Sequence, residues 1–138
     1  MTFQQILDMV RDTAKAVNPT GTFIHGRNSD AANAQSLPYT RIHLYPFTQD
    51  YDPTDTHKRT TQLLMAFVDK DSGAQDQAER EDIINRMNIL TDEFLANLEV
   101  EFVSDVEFSA LRSEPQYQVF EGMSGYSFRA TIKSQVGC

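Results

Sequence analysis

Apolar residues recur along this chain with two different periods, and the places where the period changes mark the elements. The longest helical pattern runs over Asp76–Glu99. Ile83, Met87, Leu90, Phe94 and Leu98 fall at three- and four-residue steps, with Ile84, Thr91 and Leu95 beside them. Asp82, Asn85, Arg86, Asp92, Glu93 and Asn97 take the other side. At about 1.5 Å per residue such a helix spans roughly 36 Å, the width of a small domain. A second helical pattern covers Thr2–Val17, with Phe3, Ile6, Leu7, Val10, Ala14 and Val17 on its apolar face. Thr2 and Gln5 have the spacing of a capping box, and Asn18-Pro19-Thr20-Gly21 stops the helix.

Period two governs the rest. Thr22–His25 is a short strand. Tyr39–Phe47 is another, with Thr40, Ile42 and Leu44 on one side and Tyr39, Arg41, His43 and Tyr45 on the other. Thr60–Val68 is a strand whose run Leu63–Val68 has no polar face. Such a strand needs cover on both sides: helices on one, and more of this chain or a second subunit on the other. After the long helix come Val100–Val103, then Asp105–Arg112 with Val106, Phe108 and Ala110 on one face, then Tyr117–Glu121. Gly122-Met123-Ser124-Gly125 reads as a bend or bulge. The final strand is the cleanest: Tyr126, Phe128, Ala130 and Ile132 alternate with Ser127, Arg129, Thr131 and Lys133.

The order helix, strands, helix, strands with mostly short connections predicts an α+β fold. Its sheet is mostly antiparallel, with the N-terminal helix and the long central helix packed on one face. The 138 residues suit a single domain, 1–138. Two polar segments interrupt it. Residues 26–38, GRNSDAANAQSLP, have almost nothing to bury and read as a long loop, either a connector or a partner-binding segment. Residues 48–59, TQDYDPTDTHKR, are rich in turn formers and charge and form the tip of a hairpin.

Composition narrows the function classes. Forty per cent hydrophobic and 23% charged residues fit a globular chain. No apolar run is long enough to span a bilayer, and MTFQQILDMVRD lacks the basic and apolar regions of a signal peptide. Cys138 is the single cysteine, which forbids an internal disulfide and fits a cytoplasmic origin. A net charge of −8 argues against gripping nucleic acid, which needs clustered Lys and Arg. Arg27, Arg41, Lys58, Arg59, Arg112, Arg129 and Lys133 are scattered in sequence and read as solvated charge unless the fold gathers them.

Candidate chemistry is thin. Asp69-Lys70-Asp71-Ser72-Gly73 begins like a calcium loop, but Gly73 replaces the third oxygen ligand and Arg80 the bidentate Glu, so it reads as a turn before the helix. Asp50, Asp52, Asp55 and His57 crowd one segment without the spacing of a metal motif. His25 and His43 lie on strands with no nucleophile motif beside them, and neither GxSxG, GxGxxG nor GxxxxGK[ST] occurs. Glu99, Glu101, Glu107 and Glu121 have the spacing of a wet strand face as much as of an acid–base pair. No catalytic residue, cofactor or metal is assigned, and a binding or assembly protein is expected.

One resemblance bears on that expectation. The N-terminal helix leads into LYPFTQDYDPTDTHKRTTQLLMAF, then DQAEREDIINRMNILTDEFLANL, then YQVFEGMSGYSFRATIKS. This order and hydrophobic pattern resemble the tail terminator, tail-completion and head–tail connector (neck) proteins of tailed bacteriophages. The resemblance implies a virion protein made in the host cytoplasm, assembled as a homo-oligomeric ring, hexameric by analogy, at the head–tail junction. Its partners would be other copies of itself, the tail tube protein and neck proteins. DNA would pass through the lumen without specific binding. No motif carries residue roles across, so the expected interface is placed on physical grounds: Tyr51, Asp52, Asp55, His57, Lys58 and Arg59 at the hairpin tip, and Arg27 and Asn28 in the polar loop. Another neck or minor virion protein of the same fold, and a small-ligand-binding domain with a pocket near His25, His43 or Tyr45, are the alternatives.

Overall fold

A computed structural model of the chain describes residues 2–26, 37–71, 76–102, 106–120 and 123–135. The elements are α1 (Phe3–Val17), β1 (Thr22–His25), β2 (Arg41–Leu44), β3 (Gln49–Asp52), β4 (Asp55–Lys70), α2 (Gln77–Val100), β5 (Glu107–Phe120) and β6 (Met123–Gln135). They form an α+β fold with both helices on one face of a six-stranded sheet of order β1-β2-β4-β6-β5, with β3 paired to β4 outside that path.

Local sequence explains most boundaries. At α1 the capping box closes: the Gln5 amide donates to Thr2 Oγ1 (3.1 Å) and the Thr2 amide to Gln5 Oε1 (2.8 Å). Asp76 caps α2 by accepting from the Glu79 amide at 2.8 Å. The helix continues through Val100, where a short strand was expected; Glu101 is its C-cap. Residue 103, the end of that expected strand, and Asp105 lie outside the described residues. The two strands expected between 105 and 121 are one, β5, with irregular register at Ala110/Arg112 and Gln116/Phe120.

All neighbouring strands are antiparallel except β1 and β2, which run parallel with Thr22 opposite Arg41 and His25 opposite Leu44. A parallel pair requires a crossover of a dozen or more residues; most of the polar loop expected between β1 and β2, residues 27–36, lies outside the described residues.

The core lies between sheet and helices. Leu63, Met65 and Phe67 of β4, Phe128, Ala130 and Ile132 of β6, and Ile42 and Leu44 of β2 point inward. They meet Ile6, Leu7, Val10 and Ala14 of α1 and Ile83, Met87, Phe94 and Leu98 of α2. Phe94 packs edge-on to Phe67, with ring centroids 5.3 Å apart.

The other face decides between the two covers left open for Leu63–Val68. Ala66 and Val68 are buried with Met123, and Ile24, Tyr39 and Tyr45 pack on them. Leu64 is half-buried and Gln62 exposed. More of this chain supplies the cover, because β2 places Arg41 and His43 on this side. Arg41, expected as surface charge, is buried: its guanidinium lies 4.0 Å from the Tyr39 ring centroid and donates to the Leu37 carbonyl at 2.8 Å. Gly125 completes the fit. A Cβ there would fall against the Phe67 carbonyl oxygen, so only glycine lets β6 lie this close to β4.

Beside this cluster, the turn after β4 is closed by charge. Asp71, fully buried, accepts from Arg80 Nε (2.7 Å) and from Ser124 Oγ (2.6 Å). That is the use of the segment with a superficial calcium-loop start; residues 72–75 lie outside the described residues, as do 121, 122 and 136–138. Among the described residues no helix is long and apolar enough to cross a membrane.

Candidate functional site

The segment 48–59, expected as the charged tip of a hairpin, contains a short hairpin of its own, an arm made of β3 with the start of β4. Pro53 and Thr54 make the turn, and Asp52 locks it: its Oδ1 accepts from the Thr54 amide (2.8 Å) and hydroxyl (2.7 Å). These bonds, the side-chain one first, hold the Asp52 carboxyl below its ordinary pKa. β3 then pairs antiparallel with the start of β4, Tyr51 opposite Arg59 and Gln49 opposite Thr61. The Arg59 guanidinium sits 5.2 Å from the Tyr51 ring centroid and donates to Gln49 Oε1 at 3.2 Å. Tyr51 remains 60% exposed, and Lys58 and His57 are also exposed.

The arm borders an open groove of about 500 Å³ lined by Asp52, Lys58, Arg59, Thr60, Glu107, Lys133 and Ser134. Lys133, far away in sequence, joins the adjacent pair Lys58 and Arg59 here because β4 and β6 run side by side, Thr60 opposite Lys133, and β5 places Glu107 opposite Lys133. Beyond the groove the same outward face carries Arg129 directly across from Arg112. Arg112 pairs with Glu114 at 3.1 Å, whereas Lys58, Arg59, Arg129 and Lys133 have no ion pair among the described residues.

The expected interface residues are thus partly brought together. Asp52, Lys58 and Arg59 share the groove, and Tyr51 packs on Arg59. Asp55 is used locally, accepting from the His57 amide at 3.0 Å. Arg27 and Asn28 lie outside the described residues. Lys133, Glu107 and Arg129 were not expected at the site. Their signal was present in the alternation of β6, which puts Arg129 and Lys133 on one wet face, but their neighbours depend on strand order.

The other candidates do not converge. Among the described residues no group of three or more His, Cys, Asp or Glu is placed to hold a metal, and the carboxylates of Asp52 and Asp55 serve backbone amides. His43 is buried, hydrogen-bonded to the Gly26 carbonyl at 2.6 Å and stacked on Tyr45 at 4.1 Å. Burial raises the Tyr45 pKa. His25 lies against Phe3 and Phe47, and burial, then the nearby Arg11 charge, lowers its pKa. Glu99 lies in the last turn of α2 and Glu101 caps it, Glu107 lines the groove, and Glu121 lies outside the described residues.

The site is therefore a mixed-charge groove beside an arm with an exposed aromatic tip. No protein-family model matches the chain, and no curated protein matches it.

Proposed function

We propose that this chain is a non-enzymatic structural protein of a tailed-phage virion, forming a homo-oligomeric ring at the head–tail junction, and within that class a tail terminator. It would cap the tail tube and join it to the neck. The observation that carries the reading is the β3–β4 arm. It exposes Tyr51 over Arg59 and borders a groove with Lys58 and Lys133, while the hydrophobic core is complete without it. An ordered, charged hairpin with an aromatic tip that does not serve its own core has the chemistry of a contact element, since aromatic residues and Arg are favoured at interfaces. The resemblance in element order and hydrophobic pattern along the sequence supports the same reading. DNA would traverse the lumen without specific binding, in keeping with the net charge of −8.

The test is mass measurement of the purified chain across concentration and salt, with electron microscopy after addition of tail tubes. Rings alone and rings seated on tube ends are the expected result. Lys58→Glu with Arg59→Glu should weaken assembly or tube binding most at low salt, where charge contacts are least screened. A chain that stays monomeric at every concentration and leaves tubes uncapped sinks the proposal. A neck protein of the same fold would form rings but bind the connector and not the tube.

A further inference from the structure

The charge of this chain is divided between its two faces, and the division identifies what the sheet's outward surface is built to meet. On that surface Lys58, Lys133 and Arg129 have no ion pair among the described residues, and Arg129 stands directly opposite Arg112. Like charges directly across an antiparallel pair are destabilising. A chain with a net charge of −8 has carboxylates in excess, yet Glu107 and Glu114 are the only acids that this β5–β6 face sets beside its cations among the described residues. Asp52 feels the charge of Lys58, Glu107 stands opposite Lys133 and Glu114 pairs with Arg112, so the cations of this surface are offset only in part, with Arg129 the most isolated; a residual positive charge of this kind is matched by an anionic partner.

The opposite side of the molecule carries such a surface. The buried stripe of α2 is Ile83, Met87, Thr91, Phe94 and Leu98. Helical geometry puts Asn85, Ile89, Ala96 and Val100 diametrically outward, flanked by Glu81, Asp92 and Glu99 on one side and Asp82 and Glu93 on the other. The two arginines of α2 neutralise only Asp82 on this ridge and leave Glu81, Asp92, Glu93 and Glu99 without an ion pair among the described residues. Arg80 turns to buried Asp71, and Arg86 bridges Asp69 and Asp82 at the sheet end. Along the ridge Ile89 is 58% and Val100 77% exposed, an apolar line with an acidic border. On the sheet the complement is half-buried Leu64 in the row Leu64–Arg129–Arg112, with cations around it.

We infer that the outer ridge of α2 in one copy docks across the outward face of β4, β6 and β5 in a second copy, apolar line on Leu64 and carboxylates on Lys58, Arg129 and Lys133. The contact joins two different surfaces, so it is heterologous and leaves each copy with a free acidic ridge and a free basic face. Repeated with a rotation that closes, it gives a ring. The inference rests on the assembly reading above and names the surfaces by which that ring would be made.

The experiment uses the full chain and two charge-reversed variants, Arg129→Glu with Lys133→Glu, and Asp92→Lys with Glu93→Lys. All four positions are exposed, so circular dichroism and thermal melting should match the unmodified chain. Each variant alone should assemble at least about tenfold more weakly in native mass spectrometry at low salt. An equimolar mixture should recover assembly with the two variants alternating, because each then offers the face that the other needs. Variants that assemble as well as the unmodified chain, or a mixture that stays dissociated, overturn the inference while leaving the ring reading intact. An unmodified chain that is strictly monomeric overturns both. Unchanged assembly with loss of duplex-DNA retention in the Arg129→Glu, Lys133→Glu variant would assign the basic face to nucleic acid and overturn it too.

Discussion

The two halves of β4 obey the same pleat and differ in almost everything else. Residues 63–68 have buried side chains on both sides, apart from half-buried Leu64: Leu63, Met65 and Phe67 under the helices, and Ala66 and Val68 under Tyr39, Tyr45 and Met123. Residues 55–60 are polar, half-buried or exposed where their burial is described, and pair with β3. The inner half is held by what it removes from water. The outer half is held by ladder bonds, the Asp52 turn and the Arg59–Tyr51 contact, which are individually weak at an exposed site. One strand thus anchors the domain and projects an exposed arm, and a perturbation should cost global stability or only local order according to the half it touches.

The comparison can be broken most severely at the inner half. Phe94 is fully buried against Phe67 and Phe128, and Phe94→Ala should cost about 3–5 kcal/mol in chemical denaturation. Leu90 is only half-buried, so Leu90→Ala should cost less. A Phe94→Ala midpoint equal to that of the unmodified chain would remove α2 as the element that completes the core. Gly125→Ala acts on the other side of the same half by driving a methyl group into the Phe67 carbonyl. Backbone displacement at a packed site should cost about 1–3 kcal/mol. A melting temperature that holds or rises would mean that β6 can retreat from β4 freely.

The outer half offers the smallest effect. The Asp52 pKa is lowered in the folded state, so the unfolded or opened arm takes up the proton first. Its contribution is complete above the ordinary value of 3.8 and is lost as pH falls through the lower folded value. Protection of the Thr54 amide, relative to its intrinsic exchange rate at each pH, should fall over that acid window while protection in the 63–68 ladder holds, and Asp52→Asn should abolish the difference in pH dependence. The same acid profile in the variant would show that the turn does not depend on this carboxylate.

Much of this fold is legible in the sequence alone. The periodicity of Ile83 to Leu98 places α2 and its buried face, and the alternation of Tyr126 to Ile132 places β6, because both patterns are imposed by burial on a single side. The capping residues Thr2 and Asp76 begin the helices where local hydrogen bonding dictates. Short-range signals fail where long-range pairing decides. Turn formers and charge in 48–59 suggest only a charged tip, yet Gln49–Asp52 form a strand because β4 continues far enough to pair with it. Val100 has the side chain of a strand residue and ends a helix already running. Arg41 looks like surface charge and lies buried, because Tyr39 and the Leu37 carbonyl give its guanidinium partners that a sequence cannot supply.

The site divides in the same way. The polar–aromatic character of Tyr51 to Arg59 is a property of the sequence, and so is the wet alternation that sets Arg129 and Lys133 on one side of their strand. Their gathering with Lys58 and Glu107 follows from strand order β4-β6-β5, which no local pattern encodes. So does the fate of the apolar run Leu63–Val68. Its composition demands two covered sides, but only the folding of β2 and its flanks over Ala66 and Val68 decides that this chain provides the second cover. Local periodicity reports that a side chain will be buried. What buries it is fixed by contacts between segments far apart in sequence, and those form only when the sheet closes.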